Sequence, residues 1–334
     1  MRLLLVPDPT SPNGEDAFCR EIAKRAQERG HWTRIETVPN GPLQATLDRL
    51  QAAGFSLEAE AVVINSLQPA ALLAAKAAGR RAVVRLVDSY ASASAEALAE
   101  VKRLALQADL ILVPSRYLAD IVGAWGLNGS ARMVPYAYDR IMAQQIAIVT
   151  MQTLRPTGFQ LVAAASLNET TRPGLETLLF TVSRLRLDCH VSVIGEGPAL
   201  AALKERASQL SAQDKATFLG ALPHAKIMEH FRAARAFVDP CGIEGFPTLA
   251  LHALSEGCPV IAARAGALPE FIRDGENGLL FSPGDALGLS EAIVTLASEP
   301  GLSLRLIREG IRTVEAHTWD ATVNALFSAL ETPK

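Results

Sequence analysis

Short apolar segments alternate with amphipathic helical segments along almost the whole chain, and this alternation restricts the possible folds more than any other feature. In the N-terminal half the apolar segments lie at residues 3–6, 32–38, 61–64, 82–87, 110–113 and 133–134. A helical pattern runs from Glu15 to Arg29, and Gly30 stands where a helix-terminating glycine is expected. Strands and helices that alternate at this spacing predict a parallel sheet with helices on both faces.

The alternation is interrupted between Tyr136 and Gly158 and then begins again. The second series of apolar segments lies at residues 159–165, 191–194, 217–219, 236–238, 259–262 and 278–281. The length of 334 residues is about twice that of a typical domain. We therefore predict two doubly wound, Rossmann-like α/β domains that face a cleft, because ligands bind outside the carboxyl ends of such sheets. The predicted boundaries are an N-terminal domain at 1–145, a linker at 146–158, a C-terminal domain at 159–315 and a C-terminal helical segment at 316–334, for which packing back on the N-terminal domain is one option.

Charge and cysteine content exclude several classes of protein. Lys and Arg number 32 and Asp and Glu number 35, so the formal net charge is −3 and a dedicated nucleic-acid binder is not expected. The histidines show no metal-binding spacing, and no zinc or disulfide framework is indicated by the four separated cysteines: Cys19, Cys189, Cys241 and Cys258. No apolar run approaches the ~20 residues that a bilayer requires. The N-terminus lacks the pattern of a signal peptide, so we expect a cytoplasmic protein.

The segment from Val238 to Ala262 is the most informative for chemistry. A strand ends near Pro240, a loop with glycines follows at 242–245, and a helix opens at about Pro247 and Thr248. The start of a helix presents backbone N–H groups and the positive end of its dipole, and together these form an anion site. Glu244 lies beside that site. Its carboxylate either faces a hydroxyl-bearing group such as a sugar or caps its own helix, and the loop by itself leaves both readings open.

This segment resembles the C-terminal signature of the retaining GT-B glycosyltransferases of family four, the group 1 or glycogen-synthase-like type. The family pattern is roughly E-G-F-(G/P)-x-x-x-x-E-A-x-x-x-G-x-P-V. The chain has EGFP from Glu244, followed by Ala253, Gly257 and Pro259-Val260. The flanking segments VIGEGP, FLGALPHAKIMEHFRAA and AGALPEFIRDGENGLLFSPGD occur in the family's order. The N-terminal half is similar more weakly, in ERGHW, ADLILVPSRYLADIV and MVPYAYD.

The resemblance implies the GT-B fold and an activity. We expect a hexosyltransferase-type enzyme that moves a sugar, with retention and without a metal, from a nucleotide-sugar such as a UDP- or GDP-sugar. The acceptor would be a glycan, a lipid-linked sugar or a small molecule, as in polysaccharide biosynthesis. The resemblance places the donor on residues 159–315 and the acceptor on the N-terminal domain. It implies no cofactor and allows peripheral contact with the inner face of the membrane; the oligomeric state stays open.

The resemblance also assigns roles to individual residues. Catalysis falls to Glu244 and Asp88, and the strand–helix turn at Asn13 and Gly14 would be an acceptor or phosphate loop. The amides at 247–249 would bind the donor diphosphate. The donor-binding residues implied by the resemblance are Ser166, Arg172, Glu196, Gly245, Phe246, Pro247, Thr248, Leu249, His252 and Arg264.

Several of these positions depart from the family pattern. His252 stands where a second glutamate typically holds the nucleotide ribose, and Ser166 stands where an arginine clasps the diphosphate. Arg172 is near the position of the family's lysine, and Arg264 could restore the missing charge. Val87 occupies the place of a frequent histidine, with Asp88 next to it.

Structural readings compete with these functional ones. Arg172 could be an ordinary exposed cation, His252 a buried structural histidine, and Asp88 the cap of the helix that follows. Gly14 and the Gly195–Gly197 segment could simply form turns.

The altered positions also support a second hypothesis, a catalytically weakened GT-B protein that acts as a binding or scaffold partner of an active glycosyltransferase. Basic side chains in the N-terminal domain could contact an anionic membrane surface. A solvated face is the favoured reading, because acidic residues share the first helix with them. These basic residues are Arg20, Lys24, Arg25, Arg29, Lys76, Arg80 and Arg81.

Overall fold

The computed structural model describes residues 1–7, 15–38, 42–52, 58–91, 93–127, 129, 131–137, 158–243 and 245–331, without the side chains of 15–17 and 300. The chain divides into two compact units, Met1–Tyr138 with His317–Lys334, and Asp139–Ala316. The predicted linker at 146–158 lies, apart from Gly158, outside the described residues.

The first unit contains a parallel sheet whose strand order, within the described residues, is β2-β1-β3-β4-β5-β6. Its strands are β1 (Arg2–Val6), β2 (Trp32–Ile35), β3 (Ala61–Asn65), β4 (Arg81–Arg85), β5 (Leu110–Val113) and β6 (Ala131–Met133). The helices between them are α1 (Glu15–Glu28), α2 (Leu43–Ala52), α3 (Pro69–Ala77), α4 (Ala95–Ala105) and α5 (Arg116–Val122), which continues into a π-helical turn at Gly123–Leu127.

Burial on both faces explains why the strands of this sheet are continuous apolar runs. Every residue of β3 and β5 is buried. Alternate residues of β1 pack on opposite sides, with Leu4 and Val6 in one apolar cluster and Leu3 and Leu5 in the other. Successive side chains of a strand point to opposite faces of the sheet, so each strand contributes to the apolar cluster on both faces.

The C-terminal helix, α13 (Trp319–Glu331), belongs to the first unit and packs on α1. Its apolar face joins the cluster around Phe18, whose ring lies 6.3 Å from that of Trp319. The ring of Phe327 stacks on His31 at 4.2 Å. The hydroxyl of Thr322 donates to the carbonyl of Pro135 at 2.8 Å, which ties the helix to the end of the first unit's sheet.

The second unit contains another parallel sheet, in the order β12-β11-β10-β7-β8-β9 within the described residues. Its strands are β7 (Phe159–Ala164), β8 (Cys189–Ile194), β9 (Ala216–Gly220), β10 (Ala236–Asp239), β11 (Val260–Ala263) and β12 (Leu279–Phe281). The helices are α6 (Arg172–Arg184), α7 (Leu200–Gln209), α8 (His224–Ala233), α9 (Thr248–Ser255), α10 (Leu268–Phe271), α11 (Ala286–Ser298) and α12 (Pro300–Glu315). Strands β8 and β9 follow β7 on one side of the sheet, and β11 and β12 follow β10 on the other side. The topological switch point therefore lies between β7 and β10.

The predicted class of fold is confirmed, because each unit is a parallel sheet with helices around it. Most strand boundaries fall within two residues of the predicted ones. The strand predicted at 82–87 is shorter, because β4 ends at Arg85, although the amide of Leu86 still donates to the carbonyl of Leu112 at 2.9 Å. The strand predicted at 133–134 begins two residues earlier, as β6.

Candidate functional site

The turn after β10 is shaped by Asp239 and Gly242. One carboxylate oxygen of Asp239 accepts hydrogen bonds from the amides of Cys241 at 3.1 Å and Gly242 at 3.2 Å. Burial raises the pKa of Asp239, although both amide hydrogen bonds favour the charged form. Gly242 has a φ of +62°, and a Cβ there would lie 2.8 Å from the Cβ of Ala265. The turn therefore needs glycine at this position, both for its backbone and for its close packing on the segment after β11.

Phe246 fixes the start of α9. Its side chain is buried and meets the ring of Phe271 edge-on at 5.0 Å. The amide of Thr248 donates to the carbonyl of Phe246 at 2.9 Å, and the amide of Leu251 donates to Pro247 at 3.0 Å. Pro247 is the N-cap residue of the helix, one position before the first turn.

The expectation that the amides at 247–249 all bind an anion is therefore wrong. Pro247 has no N–H, and the amide of Thr248 is engaged within the turn. Helix geometry leaves the next first-turn amides, those of Leu249 and Ala250, without an intrahelical acceptor. These two amides are accordingly the remaining backbone candidates for contact with an anion at the start of α9.

Three of the predicted site residues, Glu244, Asn13 and Gly14, lie outside the described residues. The neighbours of Glu244 are described: Gly245 is buried and Ile243 is half-buried. The roles expected of these three residues stay predictions.

The turn after β7 closes on itself through Asn168 and Thr171. The amides of Thr170 and Thr171 donate to the side-chain oxygen of Asn168 at 2.9 and 3.0 Å. The hydroxyl of Thr171 donates to the carbonyl of Ser166 at 2.6 Å. Ser166 itself is exposed. Ser166 thus presents a small exposed hydroxyl on this hydrogen-bonded turn, at the position where the resemblance would place a diphosphate-binding arginine.

Arg172 and Arg264, the two cations expected at the donor site, both form ion pairs. Arg172, the first residue of α6, lies 2.8 Å from Glu169 and 3.8 Å from Glu176, with its side chain 39% exposed. Arg264 lies 2.7 Å from Asp274. Each guanidinium is partly neutralised by carboxylates of its own unit.

Glu196 lies in a glycine turn that packs on the turn after β7. A Cβ on Gly195 would lie 1.9 Å from the carbonyl oxygen of Ala165, and one on Gly197 would lie 2.3 Å from that of Leu167. The amide of Leu167 donates to the carbonyl of Glu196 at 2.9 Å. The side chain of Glu196 is exposed, in the turn that follows β8 at the carboxyl edge of the sheet.

A backbone contact brings the start of α6 against the turn after β10. A Cβ on Gly174 would lie 2.4 Å from the carbonyl oxygen of Pro240. The thiol of Cys241 donates to the carbonyl of Thr171 at 3.4 Å. The start of α6 therefore lies against the turn that leads from β10 to α9, and the donor-binding roles of Ser166, Arg172 and Glu196 stay predictions.

His252 forms a pair with His224 that the sequence did not reveal. Nδ1 of His252 lies 3.2 Å from Nε2 of His224, and the rings meet edge-on at 4.7 Å. Burial, with a smaller contribution from His224, lowers the pKa of His252 to about 4. The pair depends on the packing of α8 against α9, and no spacing in the sequence indicates it.

In the first unit, Asp88 forms a turn instead of a helix cap. Its carboxylate accepts from the amide of Tyr90 at 2.8 Å, and Tyr90 has a φ of +55°. The cap of α4 is Ser94, whose hydroxyl oxygen accepts from Ala97 at 3.2 Å. The structural alternative that Asp88 caps the next helix is therefore wrong. Its exposed carboxylate and the half-buried Val87 lie just beyond the end of β4.

Arg85 of β4 is a buried cation that was not predicted from the sequence. Its side chain is 1% exposed, and it donates to the side-chain oxygen of Asn65 at 2.9 Å. The guanidinium lies 4.2 Å from the ring of Phe18 and 5.1 Å from that of Tyr136. A basic residue inside a strand pattern of apolar residues was the available signal, because a charge is rarely buried without partners.

Basic residues of the first unit form ion pairs with their neighbours. Arg25 pairs with Glu21 on α1, and Arg29 pairs with Asp320 at 3.0 Å. Lys76 pairs with Asp109 at 2.9 Å. These pairs favour a solvated face over a dedicated surface for anionic lipids.

Within the described residues, no group of three or more His, Cys, Asp or Glu side chains could hold a metal ion. Across the same residues, no helix combines the length and apolar character that a membrane span requires.

Solved structures with the same architecture identify the fold of this protein. Anabaena HepE in complex with UDP and glucose superposes with a TM-score of 0.78 at 18% identity, covering 100% of both chains. Sucrose-phosphate synthase from Thermosynechococcus elongatus superposes with a TM-score of 0.76 at 19% identity, covering 99% of this chain and 98% of that one. The fold is that of the GT-B glycosyltransferases.

The family resemblance is confirmed in the second unit, where residues 160–313 match the model of the glycosyl transferases group 1. A GDP-mannose-dependent α-(1-6)-phosphatidylinositol monomannoside mannosyltransferase of Mycolicibacterium smegmatis is 26% identical over 72% of this chain and 68% of its own length. A D-inositol 3-phosphate glycosyltransferase of Acidothermus cellulolyticus is 35% identical over 37% of this chain, and the match spans 28% of that relative.

Proposed function

We propose that this protein transfers a sugar from a nucleotide-sugar to a glycan, lipid-linked or small-molecule acceptor. Two kinds of similarity support the proposal. Two related enzymes are named for GDP-mannose and for inositol phosphate, and a protein of the same fold was solved with UDP and glucose. The resemblance to family four supports retention of the anomeric configuration and a reaction that needs no metal.

The observation that carries the proposal is the construction of the turn between β10 and α9. Gly242 lets the turn pack closely on Ala265, and the buried Phe246 anchors the helix start. The first turn of α9, with the half-buried Leu249 and the positive end of the helix, then lies at the carboxyl edge of the sheet beside the switch point. Such a site stabilises the negative charge that develops on a departing nucleoside diphosphate.

The remaining donor contacts are assigned by position. Glu244 would address the sugar, the Thr248 hydroxyl and Gly245 would line the diphosphate, and Arg172 would supply charge beside them. We assign the ribose to His252. The donor surface is completed by Ser166, Glu196, Phe246 and Arg264. Of these, Ser166 would contribute a neutral hydrogen-bonding group and Glu196 an acidic one.

The acceptor is proposed to bind the first unit. Asp88 is its candidate orienting group, because its carboxylate is exposed at the carboxyl end of β4. Asn13 and Gly14 would form the loop that approaches an acceptor hydroxyl or phosphate. A cytoplasmic location, with peripheral contact at the inner membrane face for a lipid-linked acceptor, is part of the same proposal.

A donor panel tests the function directly. UDP-, GDP- and ADP-sugars are added to the purified protein, and the melting temperature and the release of nucleoside diphosphate are measured. Saturation at 100 times the dissociation constant adds about 2.7 kcal/mol to the free energy of unfolding. The anomeric configuration of the product, read by NMR, tests retention, and turnover that persists in EDTA tests metal independence.

Substitution of Glu244 by Gln tests catalysis at the same site. Turnover falls by about 10²-fold or more if the carboxylate stabilises charge in the transition state. The matched control is Glu205→Gln, an exposed carboxylate on α7. A protein that binds donors but never turns them over would instead support the scaffold reading, and a protein that binds none would overturn the proposal.

A further inference from the structure

Asp239 is the last residue of β10, and its acidic side chain ends an otherwise apolar and buried strand. One carboxylate oxygen, Oδ1, accepts from the amides of Cys241 at 3.1 Å and Gly242 at 3.2 Å. Burial raises the pKa of this carboxyl group, and among the described residues these two amides, and no cation, oppose the shift. The carboxylate therefore acts on the backbone of its own turn.

The turn that Asp239 holds contacts the start of α6 at two points. A Cβ on Gly174 would lie 2.4 Å from the carbonyl oxygen of Pro240, so the two backbones meet directly. The thiol of Cys241 donates to the carbonyl of Thr171 at 3.4 Å. The amide of the same cysteine donates to Asp239, so the carboxylate and the contact with α6 fix one residue from two sides.

The same turn contacts the segment after β11 through Gly242. A Cβ on this glycine would lie 2.8 Å from the Cβ of Ala265, and its φ of +62° lies in the left-handed region that favours glycine. Its amide donates to Asp239, so the carboxylate also fixes the direction in which the chain leaves the turn towards α9. The buried Phe246, whose ring meets that of Phe271 at 5.0 Å, anchors the chain just before the helix. The segment that leads into α9 is therefore anchored at both ends.

We propose that Asp239 is a positioning residue of the donor site. Its carboxylate holds the turn after β10 in the conformation that contacts the start of α6 and Ala265, and it thereby places the start of α9 for the donor's diphosphate. The inference rests on the proposed function, because that function assigns the diphosphate to the start of α9. Asp239 acts through the backbone amides that it accepts from, without contact to the donor.

Two substitutions separate the geometry of the carboxylate from its charge. Asp239→Asn keeps an oxygen at the position of Oδ1 and removes the charge, whereas Asp239→Glu keeps the charge and moves the oxygens by one methylene group. Calorimetry of the full chain uses UDP, GDP and ADP as probes. For the nucleotide that binds, we expect Asp239→Asn to keep the Kd within about twofold of the unmodified protein. Asp239→Glu and Asp239→Ala raise the Kd by about tenfold, because both lose the amide hydrogen bonds.

Asp285 supplies a matched control in the same unit. Its Oδ1 accepts from the amides of Leu287 at 3.1 Å and Gly288 at 3.0 Å, two and three residues further along the chain, as in the turn after β10. It is the N-cap of α11 and follows β12, the strand at the end of the sheet order. We expect Asp285→Ala to lower the melting temperature, as the loss of an N-cap does, and to keep the nucleotide Kd within about twofold. A merely structural role of Asp239 would give this same pattern in Asp239→Ala, with affinity measured where the protein is folded.

The possible outcomes separate this inference from the proposed function. If nucleotides bind and Asp239→Glu and Asp239→Ala keep the full affinity, the role of Asp239 is wrong while the proposed function stands. An equal loss in Asp239→Asn and Asp239→Glu would also overturn the role, because neither geometry nor charge alone would then explain it. If no nucleotide binds the unmodified protein, the proposed function fails and the inference fails with it.

Hydrogen exchange of the unliganded protein gives a second readout, which Asp239→Glu supplies even if Asp239→Ala does not fold. We expect the amides of Cys241 and Gly242 to exchange slowly in the unmodified protein and in Asp239→Asn, and faster in Asp239→Glu. Fast exchange of both amides in the unmodified protein would show that the carboxylate does not hold the turn, and the inference would be wrong.

Discussion

The turns that follow β7 and β10 lie side by side at one edge of the same sheet, yet they are built in opposite ways. The turn after β7 carries the charge, in Arg172, but Glu169 and Glu176 lie against that guanidinium. The turn after β10 carries no described cation and instead presents the amides of a helix start behind a close-packed glycine. A guanidinium that is balanced by neighbouring carboxylates is less available to an anionic ligand than its position suggests. In the proposed donor site, the turn after β10 is therefore better prepared for an anion than the turn after β7.

The largest effect on stability is expected at the contact between Gly174 and Pro240, which joins the turn after β7 to the turn after β10. Gly174→Ala places a methyl group 2.4 Å from the carbonyl oxygen of Pro240, and that backbone atom cannot move aside by a side-chain rotation. We expect the free energy of unfolding to fall by about 2–3 kcal/mol, as for other overpacked sites, and donor affinity to fall with it. Denaturant unfolding and calorimetry measure the two effects.

Gly301→Ala is the matched control for this substitution. It also lies near the start of a helix, α12, but a Cβ there would meet nothing within 4 Å. Alanine is the better helix former, so we expect stability to stay the same or to rise by up to about 1 kcal/mol. Equal stability of the two variants would show that the turns after β7 and β10 do not depend on each other's close approach.

The sequence predicted the turn after β10 better than it predicted the turn after β7, for a physical reason. Gly242, Phe246 and Pro247 act through backbone conformation and burial, and those properties are local to the segment that carries them. The ion pairs of Arg172 depend on how its turn closes through Asn168, which spacing does not specify. The His224–His252 pair depends on a contact between distant segments, and no pattern in a single sequence indicates it. The place of Arg85 in an apolar strand signals a buried cation, but its partners Asn65 and Phe18 are distant along the chain.

Protonation of His252 sharpens the comparison, because it would place a positive charge on α9, the helix that follows the turn after β10. The pKa of His252 is lowered from 6.5 to about 4 in the folded protein. The unfolded chain therefore binds more protons than the folded one between these two values. The contribution of neutral His252 to the free energy of unfolding is complete above pH 6.5 and is lost as the pH falls towards 4. The loss amounts to about 3 kcal/mol at most, because one pKa unit corresponds to 1.36 kcal/mol.

Denaturant titrations from pH 7.5 to about 4, where the group titrates, measure this contribution in the unmodified protein and in His252→Gln. The difference between the two profiles isolates His252 from its neighbours on α8 and α9. That subtraction matters because burial also raises the pKa of Glu256, which follows α9 directly and pairs with Arg232 at 2.9 Å. Parallel profiles for the two proteins would mean that the imidazole is not held neutral by its surroundings.

The smallest effect is expected when the carboxylates that pair with Arg172, beside the turn after β7, are removed. Replacing both Glu169 and Glu176 by Gln removes the carboxylates that lie 2.8 and 3.8 Å from Arg172. Partly exposed ion pairs of this kind contribute about 0.2–1 kcal/mol, so we expect nucleoside diphosphate to bind about twofold to fivefold more tightly. Salt screens such interactions, and the gain should vanish at about 0.5 M NaCl. Calorimetry with Glu205→Gln as the control separates this local effect from a general change in net charge. If affinity stays constant at low salt, Arg172 does not reach the diphosphate, and the site depends on the start of α9 without help from the turn after β7.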